Sequence, residues 1–405
     1  MSEKILWREN TLPKSKKEND LDFLSLDEIT KARNFHKSFP EYTVTPLVNL
    51  ENLSERLGLK GLYLKDESYR FGLNAFKVLG GSYSMGKYLA QRLNVDISEL
   101  PYEKMTSDEV REKLGEITFV TATDGNHGRG VAWTANRLKQ KSVVYMPKGS
   151  SLTRLENIRK EGAIASIEDM NYDDAVRLAA KYVSEHEGSI VVQDTAWEGY
   201  EEIPAWIMQG YGTMGLEALE QLKNDYKVER PTHVFIQAGV GSLAGGIQGF
   251  MASVFGEECP TTVVVEAQEA ACYYESAVAN DGKPRAVGGD MPTIMAGLAC
   301  GEVNITGFEV LKNYAKAFVS APNYVAANGM RVLGNPLNGD KKVVSGESGA
   351  VTLGLVYELM TNPEYKDLKD NIKLDENSRV LVFSTEGDTD PDKYREIVWE
   401  GTYSR

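Results

Sequence analysis

The sequence predicts an α/β fold of two interleaved domains with mostly parallel open sheets, and three observations predict it. From about residue 117, short β-branched runs alternate with longer stretches of helical periodicity, the crossovers that parallel strands need. At roughly 100 to 200 residues per domain, a chain of 405 residues points to two. No Pro- or Ser-rich linker and no internal repeat separates the halves, so the domains interleave.

Each element follows from a local pattern. Apolar, β-branched runs at 117–122, 142–146, 163–167, 189–193, 233–237, 261–267 and 379–384 read as strands. Helical periodicity over 126–139 and 152–161 supplies crossovers, and the polar stretch at 96–116 reads as an excursion away from the chemistry. Leu79, Tyr83, Gly86 and Ala90 recur at helical spacing, so a helix starts beside Lys77. Ligands of open parallel sheets sit beyond the carboxyl ends of the strands, which directs attention to the loops starting at Thr123, Asp194, Ala238 and Ser384.

Composition narrows the class. Lys and Arg number 45 against 59 Asp and Glu, a formal charge of -14 that disfavours a dedicated nucleic-acid binder. Cys259, Cys272 and Cys300 lack CxxC spacing, and an odd count suits a reducing compartment; whether Cys272 and Cys300 pair stays open. His36, His127, His186 and His233 have no metal-site spacing, so no metal is expected. The N-terminal residues are charged and nowhere do 18 apolar residues run together, so a cytoplasmic protein without a membrane span is expected.

Five segments carry candidate chemistry. In Asn74-Ala75-Phe76-Lys77-Val78-Leu79-Gly80-Gly81 the lysine lies at a helix start, whose positive dipole end favours a neutral amine able to attack a carbonyl. The strand at 233–237 runs into Ala238, Gly239, Val240, Gly241, Ser242, Leu243, Ala244 and Gly245, where inward N–H groups and a helix N-terminus suit a phosphate. The same glycines, with Glu266 ending the next strand, also fit a dinucleotide fingerprint, and a plain strand-to-helix turn is a third reading. Thr123, Asp124, Gly125, Asn126 and His127 form a cradle for a substrate carboxylate. Asp124 is out of place there unless it contacts a cation, moves a proton or caps the next helix. Asp194 is a second carboxylate at a strand's carboxyl end, and Ser384 and Thr385 put two hydroxyls after the last strand, within reach of a ring nitrogen or in a plain polar turn.

Taken in this order the segments resemble the fold-type II family of pyridoxal 5′-phosphate (PLP) enzymes, which includes serine and threonine dehydratases, threonine synthase and the tryptophan synthase β chain. The resemblance spans about residues 40 to 395. Lys77, behind Phe76, matches the family's Schiff-base lysine, and residues 123–127 match its carboxylate loop. Residues 239–245 match its phosphate loop, and Gly346-Glu347-Ser348-Gly349-Ala350 matches a stretch that puts Glu347 near the cofactor. Ser384, or Thr385 next to it, matches the hydroxyl facing the pyridine nitrogen.

Within the family, residues 121–130, 192–197 and 383–388 resemble a branch that removes ammonia from 2,3-diaminopropionate; ordinary dehydratases carry a small residue in place of Asp124. The resemblance implies PLP-dependent α,β-elimination of both the D- and L-isomer to pyruvate and two ammonia. It assigns Lys77 as base for the L-isomer, Asp124 for the D-isomer, and Asp194 to the substrate's amino group. It also implies a homodimer, a larger cofactor-binding domain of residues 1–88 and 212–405, and a smaller one of 89–211 carrying Asp124, the Asn126 loop and Asp194. One rival is a serine or threonine dehydratase-type lyase, against which the two aspartates argue. Another is a non-catalytic or dinucleotide-binding protein, which leaves Lys77 and the Asn126 loop unexplained.

Overall fold

The computed structural model describes residues 4–15, 21–123 and 125–405; Asp124 lies outside the described residues. In chain order the strands are β1 (Leu6–Glu9), β2 (Leu47–Asn49), β3 (Gly61–Asp66), β4 (Thr118–Ala122), β5 (Lys141–Met146), β6 (Ile164–Ile167), β7 (Ser189–Val191), β8 (His233–Gln237), β9 (Thr261–Ala267), β10 (Ala317–Ala321) and β11 (Arg379–Ser384). They form two sheets. The larger runs β1-β10-β9-β8-β11-β3-β2 and is parallel except for its outer strands β1 and β2. The smaller runs β6-β5-β4-β7 and is parallel throughout.

Helices cover the faces, so the inner strands are apolar on both sides: Leu62, Leu64, Val234, Phe235, Val263 and Val265 are all fully buried. The strands at 233–237, 261–267 and 379–384 have the bounds the sequence predicts, and β4 to β7 differ from expectation by one or two residues at an end. The helices Asn126–Arg137 and Leu152–Lys160 end slightly short of theirs, and the 96–116 stretch forms short helical turns. β1, β2, β3 and β10 were not expected. β3 hides its pattern because Lys65 and Asp66 are buried charges: Lys65 pairs with Glu217 at 2.8 Å, and Glu217 and Glu67 clamp Arg70.

Two features fix the segment carrying Lys77. Its helix, Val78–Leu93, is packed between the helices Glu202–Tyr226 and Asn126–Arg137. A Cβ at Gly130 would lie 2.8 Å from Val78 Cα, and one at Gly210 would meet the Leu79 carbonyl oxygen, so glycine is what lets these helices close on it. The parallel neighbours β3 and β11 also deliver their following loops side by side. Phe76 N donates to Thr385 O at 3.0 Å, Gly387 N donates to Asn74 O at 3.0 Å, and Ala75 bridges Glu386. Lys77 and Thr385 thereby become neighbours. No helix among the described residues is long and apolar enough to cross a membrane.

Candidate active site

The loops starting at Thr123 and Asp194 meet at a cleft of about 970 Å³, whose walls include Lys77, Thr123, His127, Asp194, Cys300 and Glu347. A narrower recess shares Lys77 and Asp194 with it and is lined by Phe76, Asn126, residues 239–243, Thr385 and Glu386. These groups lie far apart in sequence and converge because both sheets point strand ends toward the same space.

Lys77 Nζ is paired with the Asp194 carboxylate, whose side chain is 2 % exposed. Burial by itself lowers the lysine's proton affinity, but the Asp194 charge reverses this and raises it above the ordinary lysine value. Burial opposes charge on Asp194 too, and is outweighed by Lys77 and then His127, which hold its carboxyl below the usual range. The expectation that the helix dipole keeps this amine neutral is therefore corrected: an adjacent full charge outweighs a half-charge at a helix end.

In the Asn126 loop, Thr123 Oγ1 accepts from Gly125 N at 2.9 Å and from Gly128 N at 3.0 Å, which seats the start of the helix. Gly125 was expected to offer its N–H to substrate; that N–H is taken by Thr123. Asn126 Nδ2 donates to Glu386 inside the recess. His127 Nε2 donates to the Val192 carbonyl at 2.8 Å and so carries the proton. Thr123 and His127 line the cleft and Asn126 lines the recess, while Asp124 lies outside the described residues.

Gly241 has φ +96, and a Cβ there would collide with the Tyr273 hydroxyl, so the turn before the helix Ser242–Phe255 requires glycine. Gly239, Val240, Gly241, Ser242 and Leu243 line the recess. Ala244 and Gly245 were expected there as well, and this is corrected: both are fully inside the helix packing, with Gly245 set against Gly307, where a Cβ would lie 2.8 Å from its Cα. The dinucleotide reading fails on Glu266. Its two carboxylate oxygens accept from Tyr273 N and Tyr274 N at 2.8 Å each, so it caps the helix Cys272–Ala279 and is fully buried there.

The structure also separates Ser384 from Thr385. Ser384 Oγ donates to Ser345 Oγ at 2.8 Å, away from the recess, whereas Thr385 lines it. Gln237 Nε2 holds Thr385 Oγ1 at 2.9 Å and also donates to the carbonyls of Ser348 and Phe383. Since an amide N–H only donates, the Thr385 oxygen accepts here and its own proton is available to another acceptor. Burial, and secondarily the Glu386 carboxylate, pushes the Glu347 carboxyl up to about 7. Cys272 and Cys300 are not joined by a disulfide: Cys272 Sγ donates to the Gly301 carbonyl at 3.0 Å.

Three contributors escaped the sequence reading. Gln237 ends an apolar strand just before the glycine loop, a signal that was present but not used. Glu386 was seen only as part of a motif. Asn304, fully buried, donates from Nδ2 to the Asp194 carbonyl and to Ser242 Oγ, and nothing local marks it beyond its place before the helix Ile305–Tyr314.

The chain matches known proteins over most of its length. The family described as pyridoxal-phosphate dependent enzyme matches residues 39–385. A diaminopropionate ammonia-lyase of Salmonella typhimurium is 55% identical over 368 residues, 91% of each chain. The crystal structure of the Escherichia coli diaminopropionate ammonia lyase with D-serine superposes with a TM-score of 0.91 at 45% identity, covering 99% of this chain and 98% of that one. The same enzyme with an aminoacrylate-PLP azomethine reaction intermediate gives 0.90 at 45% identity, covering 100% and 99%. With more than half of its length matched and with relatives this similar, the chain belongs to the pyridoxal-phosphate dependent enzyme family.

Proposed function

We propose that this chain eliminates ammonia from D- and L-2,3-diaminopropionate, giving pyruvate and two ammonia, with PLP as cofactor. The observation that carries the reading is the buried Asp194 carboxylate set as an ammonium receptor at the Lys77 amine. A 2,3-diamino acid brings a second ammonium for it, and serine does not. The names of the similar lyases support the same substrate.

The recess fits the cofactor. The turn at Gly241 leads into a 14-residue helix whose N-terminus suits an anion, Lys77 offers an amine, and Thr385 offers a hydroxyl proton for a ring nitrogen. Residues 239–243 would hold the phosphate, Lys77 the aldehyde carbon, Phe76 the ring's flank and Thr385 the ring nitrogen, with Glu347 at the rim. When bound, PLP supplies a conjugated ring that takes up the electron pair left at the substrate α-carbon.

The protein's groups then do the rest. Thr123 and Asn126 hold the substrate carboxylate. Lys77 would take the α-proton of the L-isomer. Asp124, placed by sequence alone, takes it from the D-isomer. Asp194 holds the β-ammonium until the Cβ–N bond breaks; the nitrogen, already carrying three protons, leaves with the bonding pair as ammonia. The remaining enamine adds water and yields pyruvate and the second ammonia.

We also infer a homodimer in the cytoplasm, with residues 89–211 closing as a unit on 1–88 and 212–405. Turnover of each isomer, counting pyruvate and ammonia with serine for comparison, tests the reaction. Two ammonia per pyruvate from both isomers is expected, with serine far slower. Asp124→Asn should abolish the D-reaction and largely spare the L-reaction; equal losses would remove the two-base assignment.

A further inference from the structure

We propose that Asn304 is a positioning residue that locks the phosphate cradle and Asp194 into one unit. This rests on the roles given above to Asp194 and residues 239–243.

Asn304 reaches three elements at once. Its backbone N donates to Val240 O at 2.7 Å, an oxygen that also accepts from Tyr273 Oη at 3.0 Å. In a planar trans peptide the carbonyl and the next N–H point in opposite directions. Anchoring Val240 O outward therefore turns Gly241 N–H toward the opposite side, the side of the recess that Val240 and Gly241 line. The side chain does the second job. Nδ2 donates to Asp194 O at 3.1 Å and to Ser242 Oγ at 2.7 Å, and Ser242 Oγ itself donates to Asp194 O. Oδ1 accepts from Gly307 N at 2.9 Å and caps the helix Ile305–Tyr314. These partners fix the amide's orientation, since a carbonyl only accepts and a backbone N–H only donates. Ile305 N adds a stitch to Ala196 O at 3.3 Å.

The consequence is a linkage between the larger sheet, which ends in the cradle, and the smaller one, whose β7 leads to Asp194. Asn304, Ser242 and Asp194 are each at most 2 % exposed, so water does not substitute for these bonds. The Ser242 hydroxyl holds the Asp194 backbone. A shift of the cradle is therefore felt at the carboxylate that handles the substrate's ammonium.

Asn304→Asp tests this, because it keeps the cap on Gly307 and the bond to Val240 but replaces the donating NH2 with an oxygen. Ser242→Ala and the double variant complete a cycle. On the full chain we would measure kcat and KM for diaminopropionate at saturating PLP, the pH profile of kcat, PLP affinity of the apoenzyme by absorbance titration, and Tm. Asn304→Asp should lower kcat at least ten-fold with KM within about three-fold, displace the pH profile and weaken PLP binding, and Ser242→Ala should add little to it. A folded, PLP-saturated Asn304→Asp with wild-type kcat and pH profile, or losses that simply add, would overturn the proposal. Should Asn304→Asp not fold, Ser242→Ala decides alone: unchanged kcat and profile overturn the linkage. A wild-type chain inactive on diaminopropionate would instead sink the lyase reading, and PLP affinity would still judge the cradle.

Discussion

Replacing Asp194 by Asn removes one charge and almost no volume. The carboxylate is 2 % exposed and its partner Lys77 is 17 % exposed, so solvent screens the pair only partly. Two unit charges about 4 Å apart attract by about 4 kcal/mol at an effective dielectric constant near 20. Solvation lost on burial offsets part of that, leaving about 1.5–3 kcal/mol for a hydrogen bond to a charged group. The substrate's β-ammonium would make the same contact, so Asp194→Asn should lower kcat/KM for diaminopropionate by about ten- to 150-fold. Serine lacks that ammonium, and its kcat/KM should change by about three-fold or less. Pyruvate formation coupled to lactate dehydrogenase reads both substrates on one preparation. Equal losses on the two would refute an ammonium receptor and leave Asp194 a general acid or a structural partner of Lys77.

Three further outcomes are expected. Thr385→Val should change the absorption band of bound PLP, whereas Ser384→Ala should leave the band alone and cost about 1 kcal/mol for its neutral bond to Ser345, read by absorbance and thermal melting; a band shift in Ser384→Ala alone would exchange the two roles. Glu347 has its carboxyl raised to about 7, so the folded chain keeps a proton that the unfolded chain loses near 4.5; that stabilisation is complete below 4.5 and disappears as pH rises through about 7. Glu347→Gln should therefore gain in Tm relative to wild type between about pH 5 and 8, and parallel Tm curves would place the carboxyl elsewhere on the scale. Gly130→Ala puts a methyl 2.8 Å from Val78 Cα and should cost about 1–3 kcal/mol while weakening PLP binding through Lys77; unchanged Tm and affinity would show that the helix contact yields freely.

Much of the scaffold was legible because its signals are local. β8, β9 and β11 are uninterrupted apolar runs ended by polar or glycine residues, and burial on both faces makes such runs stand out. β3 was not legible because its buried Lys65 and Asp66 look like surface residues until Glu217, far along the chain, is brought to them. β10 is short and rich in Ala and Ser, β2 has three residues, and β1 is a partly exposed outer strand, so none shows a clear alternation. Among site residues, Thr123, Asn126 and Asp194 are marked by type and by position after strand ends, and Lys77 by its place at a helix start.

What the sequence by itself determined is therefore the alternation of strands and helices, the order of the loops, and the chemical inventory at their mouths. Spacing and residue type suffice for these. Only the tertiary structure decided which hydroxyl faces the recess, that Glu266 serves a helix cap, that Gly245 packs against Gly307, and that Asn304 joins Asp194 to Val240. The hydroxyl, Glu266 and Asn304 choices each turn on the direction of one side chain. That direction is set by hydrogen-bond partners and close contacts contributed by distant segments, which local pattern does not encode.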